Sequence, residues 1–190
     1  MGHNLVLIGP AAVGKSTLGP LLATQLEKAH CSLDTVRWDY FKEVGFTEEE
    51  QHRIWEAEGM DGVLRYWQPF EVHAVERVLA DYHDAVIDFG GGYTTQDDPA
   101  LVARVQDALA PHQVVLLLPS PDLAHSVQIL AERTAGMFPP TFDLQAHIVQ
   151  HQATQPLANL VVYTADMTPE GTRDFILAAL NTLAGHPVPK

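Results

Sequence analysis

Apolar residues come in blocks along the chain, and the spacing inside the blocks switches between two kinds. Asn4 to Ile8 is a short apolar run closed by Gly9, which predicts a buried strand. From Lys15 to Lys28, Leu18, Leu21, Leu22, Gln25 and Leu26 fall at helical spacing. Ser32 to Val36 predicts a second strand. Thr47-Glu48-Glu49-Glu50 reads as a capping box that opens a helix to about Glu58. A longer helical pattern follows from Asp61 to about Tyr82, interrupted near Pro69. Ala85 to Phe89 predicts a third strand, stopped by Gly90-Gly91-Gly92. Asp98 caps a helix that has Pro99 at its first position and runs to Leu109. Val114 to Leu118 is the most apolar strand. Pro121 to Arg133 and Asp143 to His151 predict helices on either side of a Gly/Pro-rich break, Gly136 to Thr141. Leu160 to Tyr163 is the last strand, and Thr168-Pro169-Glu170 opens a terminal helix to about Leu183.

Apolar strands that alternate with helices imply a parallel sheet covered on both faces. The chain carries no internal repeat, no low-complexity tract and no long linker, so residues 1–190 are expected to form one domain. The helical stretch at about 47–82 would form a substrate-side region, and the segment at about 130–151 a lid.

Composition narrows the function classes. The 190 residues include 24 Asp+Glu against 11 Lys+Arg, for a formal net charge of -13. That balance argues against binding long nucleic acids through a basic surface. A single cysteine, Cys31, excludes an intramolecular disulfide and a cysteine-based zinc site, and it is expected at a buried strand edge. No apolar run approaches the ~18 residues of a membrane helix. No basic region precedes Leu5-Val6-Leu7-Ile8, so no secretory signal is expected and the chain reads as cytoplasmic.

One motif carries specific chemistry. Gly9-Pro10-Ala11-Ala12-Val13-Gly14-Lys15-Ser16-Thr17 fits G-x-x-x-x-G-K-[ST], with a strand before it and a helix after it, as a phosphate-binding loop requires. The glycines let backbone N–H groups turn toward phosphate oxygens, and the free N–H groups at the start of the next helix face the same anion. Lys15 can reach the β- and γ-phosphates, Ser16 can ligate Mg²⁺, and Thr17 supports the α-phosphate side. ATP and Mg²⁺ are the cofactors this implies.

With these residues the chain resembles P-loop small-molecule kinases, shikimate kinase most of all. Leu33-Asp34-Thr35 sits where that family carries an acidic motif after its second strand. Val86 to Gly92 resembles its third strand and triple-glycine turn. Arg133 is placed like its lid arginine, and Thr168-Pro169-Glu170 resembles its adenine-side C-terminal segment. The resemblance implies a P-loop NTPase sandwich of three layers around a five-stranded parallel sheet of order 2-3-1-4-5, with a helical acceptor insert and a mobile lid. The departures fall on the acceptor side. Val36 replaces the second acid of the motif, and Gln150 and His151 lie where an arginine would hold the substrate carboxylate. Before the lid, His125 to Gln128 stand in place of a nucleotide-side arginine. These differences point to an acceptor other than shikimate.

Phosphoryl transfer needs placement, charge neutralisation and a group that orients the acceptor hydroxyl. Asp34, expected at the end of the second strand, is the candidate for that group. Arg37 follows it at D-x-x-R spacing, a pairing similar to the acceptor side of polynucleotide-kinase-like and antibiotic-phosphotransferase-like P-loop enzymes. The alternative for the pair is a helix-capping Asp and a surface Arg. Asp88, ending the third strand, would hold Mg²⁺ through water, or else order the glycine turn. Gly90, Gly91 and Gly92 allow backbone to approach a substrate closely. Arg133 would close over the transferring phosphoryl group, with a surface helix arginine as the alternative. Arg53, Trp55, Arg65, Tyr66, Trp67 and Phe70 fall in the acceptor insert, where the aromatics could equally be core; of these, Arg65 is the substrate-binding candidate. His147 and His151 have i, i+4 spacing, but no third metal ligand accompanies them.

The sequence therefore predicts an ATP- and Mg²⁺-dependent kinase of a small-molecule hydroxyl, monomeric or homodimeric, with no membrane partner. Two alternatives stand beside it: a nucleotide-binding regulator without transfer, and a nucleotide or polynucleotide 5′-hydroxyl kinase.

Overall fold

Strands β1 (Leu5–Ile8), β2 (His30–Ser32), β3 (Val86–Asp88), β4 (Gln113–Leu118) and β5 (Leu160–Tyr163) form one parallel sheet of order β2-β3-β1-β4-β5. This is the expected order. The computed structural model describes residues 3–137 and 144–183.

The period of two along β1 explains the layering. Leu5 and Leu7 point to one face, while Val6 and Ile8 point to the other, and all four are buried. On the first face lie α1 (Lys15–Leu26) and α7 (Pro169–Leu183), which supply Leu18, Leu22 and Ile176. The second face is covered by α2 (Leu33–Glu43), α3 (Glu48–Asp81) and α4 (Pro99–Leu109), through Phe41, Val75, Val78 and Val105. Buried Asn4 ties the strand entries together: its Nδ2 donates to the Tyr82 carbonyl at 2.8 Å, and its Oδ1 accepts from the Ala85 N–H at 2.9 Å. Helices α5 (Leu123–Arg133) and α6 (Leu144–Gln150) pack on each other beside the crevice at the carboxyl ends of the strands.

The predicted caps are present. Thr47 Oγ1 accepts from the Glu50 N–H at 3.2 Å, Asp98 from the Ala100 N–H at 2.8 Å, and Thr168 Oγ1 from the Gly171 N–H at 3.1 Å. Cys31 is free and buried on the edge strand β2.

Two boundaries differ from expectation. The second strand is His30–Ser32, and the segment expected as strand is the first turn of α2. Its apolar residues Leu33, Tyr40 and Phe41 bury one helical face, which outweighs the strand-like look of Val36. The long helical region is broken at Gly59, between the expected end at Glu58 and the expected restart at Asp61, but the interruption expected near Pro69 is absent. Gly59 has φ 67°, outside helical space, whereas exposed Pro69 lies within the helix. Asp143, expected to open α6, and residues 138–141 of the expected Gly/Pro-rich break lie outside the described residues.

Candidate active site

The phosphate-binding loop runs from the end of β1 to the start of α1. Gly9 has φ 135°, Ala12 φ 59° and Gly14 φ 110°, so the chain coils on itself and turns its N–H groups inward. Only glycine fits position 9, where any Cβ would run into the Leu117 carbonyl oxygen of β4. The N–H groups of Ala11 to Ser16 donate to no described residue, the condition an anion cradle needs. Lys15 is buried, and its ammonium donates to the carbonyls of Gly9 at 2.8 Å and Pro10 at 2.7 Å. Burial lowers its pKa to about 8, against the opposing pull of Asp34 and Asp88. The cradle and its ammonium fit a nucleotide polyphosphate.

Two cavities flank this loop. One, of about 240 Å³, is lined by Gly14, Thr17, Arg133, Thr164 and Pro169, between the loop and the start of α7. Arg133, ending α5, donates from Nη1 to the Ala12 carbonyl at 3.3 Å, so it lies directly over the loop. The other cavity, of about 450 Å³, is bounded by Ala11 of the loop, Asp34 and Arg37 of α2, Glu71 of α3, and Gly91 and Gly92. Leu144 and Ile148 of α6 close its far wall. The triple glycine permits this crowding. A Cβ on Gly90 would strike Asp34 Oδ1, one on Gly91 would come within 2.8 Å of Ile148, and one on Gly92 within 2.7 Å of Glu71 Oε1.

The expected site residues divide into those gathered here and those placed elsewhere. Gly9, Ala11, Ala12, Val13, Gly14, Lys15, Ser16 and Thr17 form the loop; Asp34, Arg37, Gly91 and Gly92 meet at the larger cavity, with Gly90 packed behind Asp34; Arg133 closes the smaller one. Asp34 sits in the first turn of α2 rather than at a strand end, half exposed, 3.4 Å from Arg37 Nη1. The Arg37 guanidinium lies 4.3 Å from the Trp38 ring and 5.4 Å from that of Trp67, and its buried Nε has no partner. Arg65 is turned away to pair with exposed Glu58 at 2.6 Å, and Arg53 pairs with Glu50. Phe70 is core; Tyr66 packs against it; Trp55 and Trp67 line a further cavity of about 670 Å³ over α3.

Asp88 ends β3 beside the loop, where a carboxylate could act on a metal only through water. It is 1% exposed, with Oδ2 2.6 Å from His30 Nε2 and Oδ1 accepting from Ser32 Oγ at 3.0 Å. Both oxygens are thus engaged by β2. Ser16 is exposed at the start of α1. The His147 and His151 rings lie 5.8 Å apart and tilted, with His151 3.6 Å from Asp97, and no group of three His, Cys, Asp or Glu suited to a metal occurs among the described residues.

Two residues of the larger cavity went unnoticed in the sequence. Glu71 is 5% exposed and hydrogen-bonds to no described residue; burial raises its pKa to about 8, opposed by Arg37 and reinforced by Asp34. Tyr93 is 1% exposed, its hydroxyl has no partner, and burial raises its pKa as well. A signal for Glu71 existed. Leu64, Gln68, Glu71, Val75 and Val78 follow helical spacing along one face, and an acid on that face has no solvent to meet.

No family model matches the chain. In sequence it is similar to the shikimate kinase of Pseudomonas aeruginosa (strain LESB58), at 39% identity over a stretch covering 32% of this chain and 42% of that protein. The shikimate kinase of Pseudomonas entomophila (strain L48) also matches at 39%, over 33% of this chain and 42% of its own. The match therefore spans less than half the length of these curated relatives. In fold the similarity extends along the chain. A shikimate kinase from Acinetobacter baumannii in complex with shikimate superposes with TM-score 0.65 at 20% identity, covering 97% of this chain and 94% of that one. The shikimate kinase of Aquifex aeolicus gives TM-score 0.64 at 20% identity over 95% and 98%. A gluconokinase from Sinorhizobium meliloti 1021 gives 0.56 at 15% identity over 97% and 98%. The chain has the P-loop α/β fold of shikimate-kinase-like kinases.

Proposed function

We propose that this protein is an ATP- and Mg²⁺-dependent kinase that transfers the γ-phosphoryl group to a hydroxyl of a small molecule. The observation that carries this reading is the pair of cavities on opposite sides of one phosphate-binding loop. One holds Arg133 against Gly14 and Thr17; the other holds Asp34 opposite Ala11. The names of the fold neighbours, shikimate kinase and gluconokinase, support a small-molecule acceptor.

Each residue then has a task. The loop N–H groups and Lys15 bind the polyphosphate, and Ser16 ligates magnesium, which offsets phosphate charge. Asp88, held by His30 and Ser32, adds negative charge beside Lys15 rather than a free ligand oxygen. Asp34 accepts the proton of the acceptor hydroxyl as its oxygen bonds to phosphorus and ADP leaves. Arg133 neutralises charge on the transferring group, and Gly90 to Gly92 give the acceptor room. With an acidic chain and no helix among the described residues able to cross a membrane, the partners are a nucleotide and a small acceptor, met in the cytoplasm by a monomer or homodimer.

The test is ADP formation with a panel of alcohols, for wild type and Asp34→Asn. Asn keeps the shape and removes the basic oxygen, so turnover should fall about 100-fold or more with ATP affinity retained. A variant turning over at the wild-type rate removes Asp34 from the mechanism. Nucleotide binding with no ADP formed from any alcohol would favour the regulatory reading.

A further inference from the structure

The larger cavity has walls of unusual charge for a site that would hold a hydroxy acid. Among the described residues, Arg37 is the one lysine or arginine lining either it or the aromatic cavity beside it. Its guanidinium lies 3.4 Å from Asp34 and against the faces of Trp38 and Trp67, with its buried Nε unpaired. Residues 138–143, the segment preceding α6, contain no lysine or arginine in sequence. Against this single cation stand two carboxyl groups, Asp34 and Glu71. An anionic acceptor would bring a third acidic group to a cavity whose one cation already faces Asp34, and a buried charge without a partner of its own is among the costliest arrangements a site can have.

What the cavity does offer is polar capacity without partners. Glu71 and Tyr93 are each more than nine-tenths buried and line the cavity; the Tyr93 hydroxyl is enclosed without a partner, and no described residue hydrogen-bonds to the Glu71 carboxyl. A carboxyl group buried this far is normally satisfied, so its place on the cavity wall marks where a ligand's polar atom goes. The remaining wall is apolar: Met60, Leu64, Trp67, Leu144 and Ile148. Met60 and Trp67 also line the adjoining cavity of about 670 Å³, which carries Trp38, Phe46 and Trp55 and no lysine or arginine among its described lining residues. Together they form an apolar space with a few convergent polar groups, the usual make-up of a small-molecule site.

We infer that the acceptor is a non-anionic alcohol with an apolar body: its hydroxyl lies at Asp34, a neutral or cationic polar group lies at Glu71 and Tyr93, and its body runs past Met60 and Trp67 toward the aromatic cavity. This inference rests on the reading of the site as an alcohol phosphotransferase. Glu71 acts in it as a specificity residue. Uncharged, it donates a hydrogen bond to a neutral acceptor; ionised, it pairs with a cation.

Three probes of one shape separate the possibilities: 4-(hydroxymethyl)benzoate, 4-(hydroxymethyl)benzamide and 4-(hydroxymethyl)benzylamine. Binding is read from quenching of tryptophan fluorescence in the presence of Mg²⁺-ADP, and transfer from ADP formation with Mg²⁺-ATP. The amide and the amine should bind at least about tenfold more tightly than the carboxylate, which corresponds to about 1.4 kcal/mol. Glu71→Gln should weaken the amine, spare the amide and improve the carboxylate. Equal or tighter binding of the carboxylate to the wild-type protein, or no binding of any probe at millimolar concentration, overturns the inference. The charge order in binding without any ADP formed would keep the pocket assignment and refute transfer. ADP formed fastest from the carboxylate would do the reverse.

Discussion

Glu71 makes a stability prediction that requires no ligand. Burial raises its pKa from an ordinary 4.5 to about 8. The folded chain therefore holds a proton that the unfolded chain releases, so stability falls as pH rises from about 4.5 to about 8 and levels off above that. Between pH 5 and pH 7 the difference is about one proton across two pH units. At roughly 1.4 kcal/mol per unit, this is on the order of 3 kcal/mol of lost stability from one residue. Glu71→Gln keeps the shape and cannot ionise, so the variant should lose much less over the same interval. The assay is urea unfolding of both proteins at pH 5 and pH 7. With a slope of ~2 kcal/mol/M, the wild-type midpoint should drop by about 1.5 M relative to the change in the variant. The comparison is between slopes, so any constant cost of burying the amide cancels. Parallel pH dependences in the two proteins would show that Glu71 is already ionised when folded, and its assignment as an uncharged donor would fall with that result.

Other expectations follow from the loop and its surroundings. Lys15, with its pKa lowered to about 8, carries the charge that binds phosphate only below that value, so affinity for ATP should decline between pH 7 and pH 9; Lys15→Arg, charged throughout, should flatten that decline in a titration calorimeter. Gly9→Ala should destabilise the fold by at least about 2 kcal/mol, read as a lowered unfolding midpoint, because the position has φ 135° and its Cβ would meet the Leu117 carbonyl. Arg133→Ala should cut kcat about 100-fold with little change in thermal midpoint, since the guanidinium contacts the loop from an exposed position; an unchanged kcat would return Arg133 to the helix surface.

How much of this was legible in the sequence depends on how local each signal is. The loop was fully legible, because a phosphate cradle is made by nine consecutive residues and the strand and helix beside them. The strand order was legible through resemblance alone, and the structure agrees with it. Boundaries failed where two local signals competed. Ser32 to Val36 looked like strand because Val36 is β-branched, but the helical register of Leu33, Tyr40 and Phe41 decides the segment. Pro69 looked like a break, yet it is exposed and the helix runs through it, while Gly59 leaves helical space in the gap expected between Glu58 and Asp61. Arg65 was chosen for its charge, and charge does not say which way a side chain on a 34-residue helical stretch will point. The partners that hold Asp88, His30 and Ser32, come from a strand 56 to 58 residues earlier, a distance no local pattern spans.

Glu71 and Tyr93 show the deeper reason for what was missed. Neither belongs to a motif, and neither touches the other in sequence: one lies mid-helix on α3, the other directly after the glycine turn. They become a site only because the sheet order places β3 between β1 and β2, which brings the glycine turn under α2 and α3 and against the loop at once. Gly90 and Gly92 then let Asp34 and Glu71 approach the turn more closely than any Cβ would allow. The residues proposed to bind phosphate are fixed by a local sequence, whereas those proposed to choose the acceptor are fixed by topology. A chain can therefore keep the first set intact while the second set drifts to a new chemistry. Here the loop is nine consecutive residues, while the larger cavity beside it is walled by one arginine, two carboxyl groups and apolar and aromatic side chains drawn from α2, α3, α6 and the glycine turn.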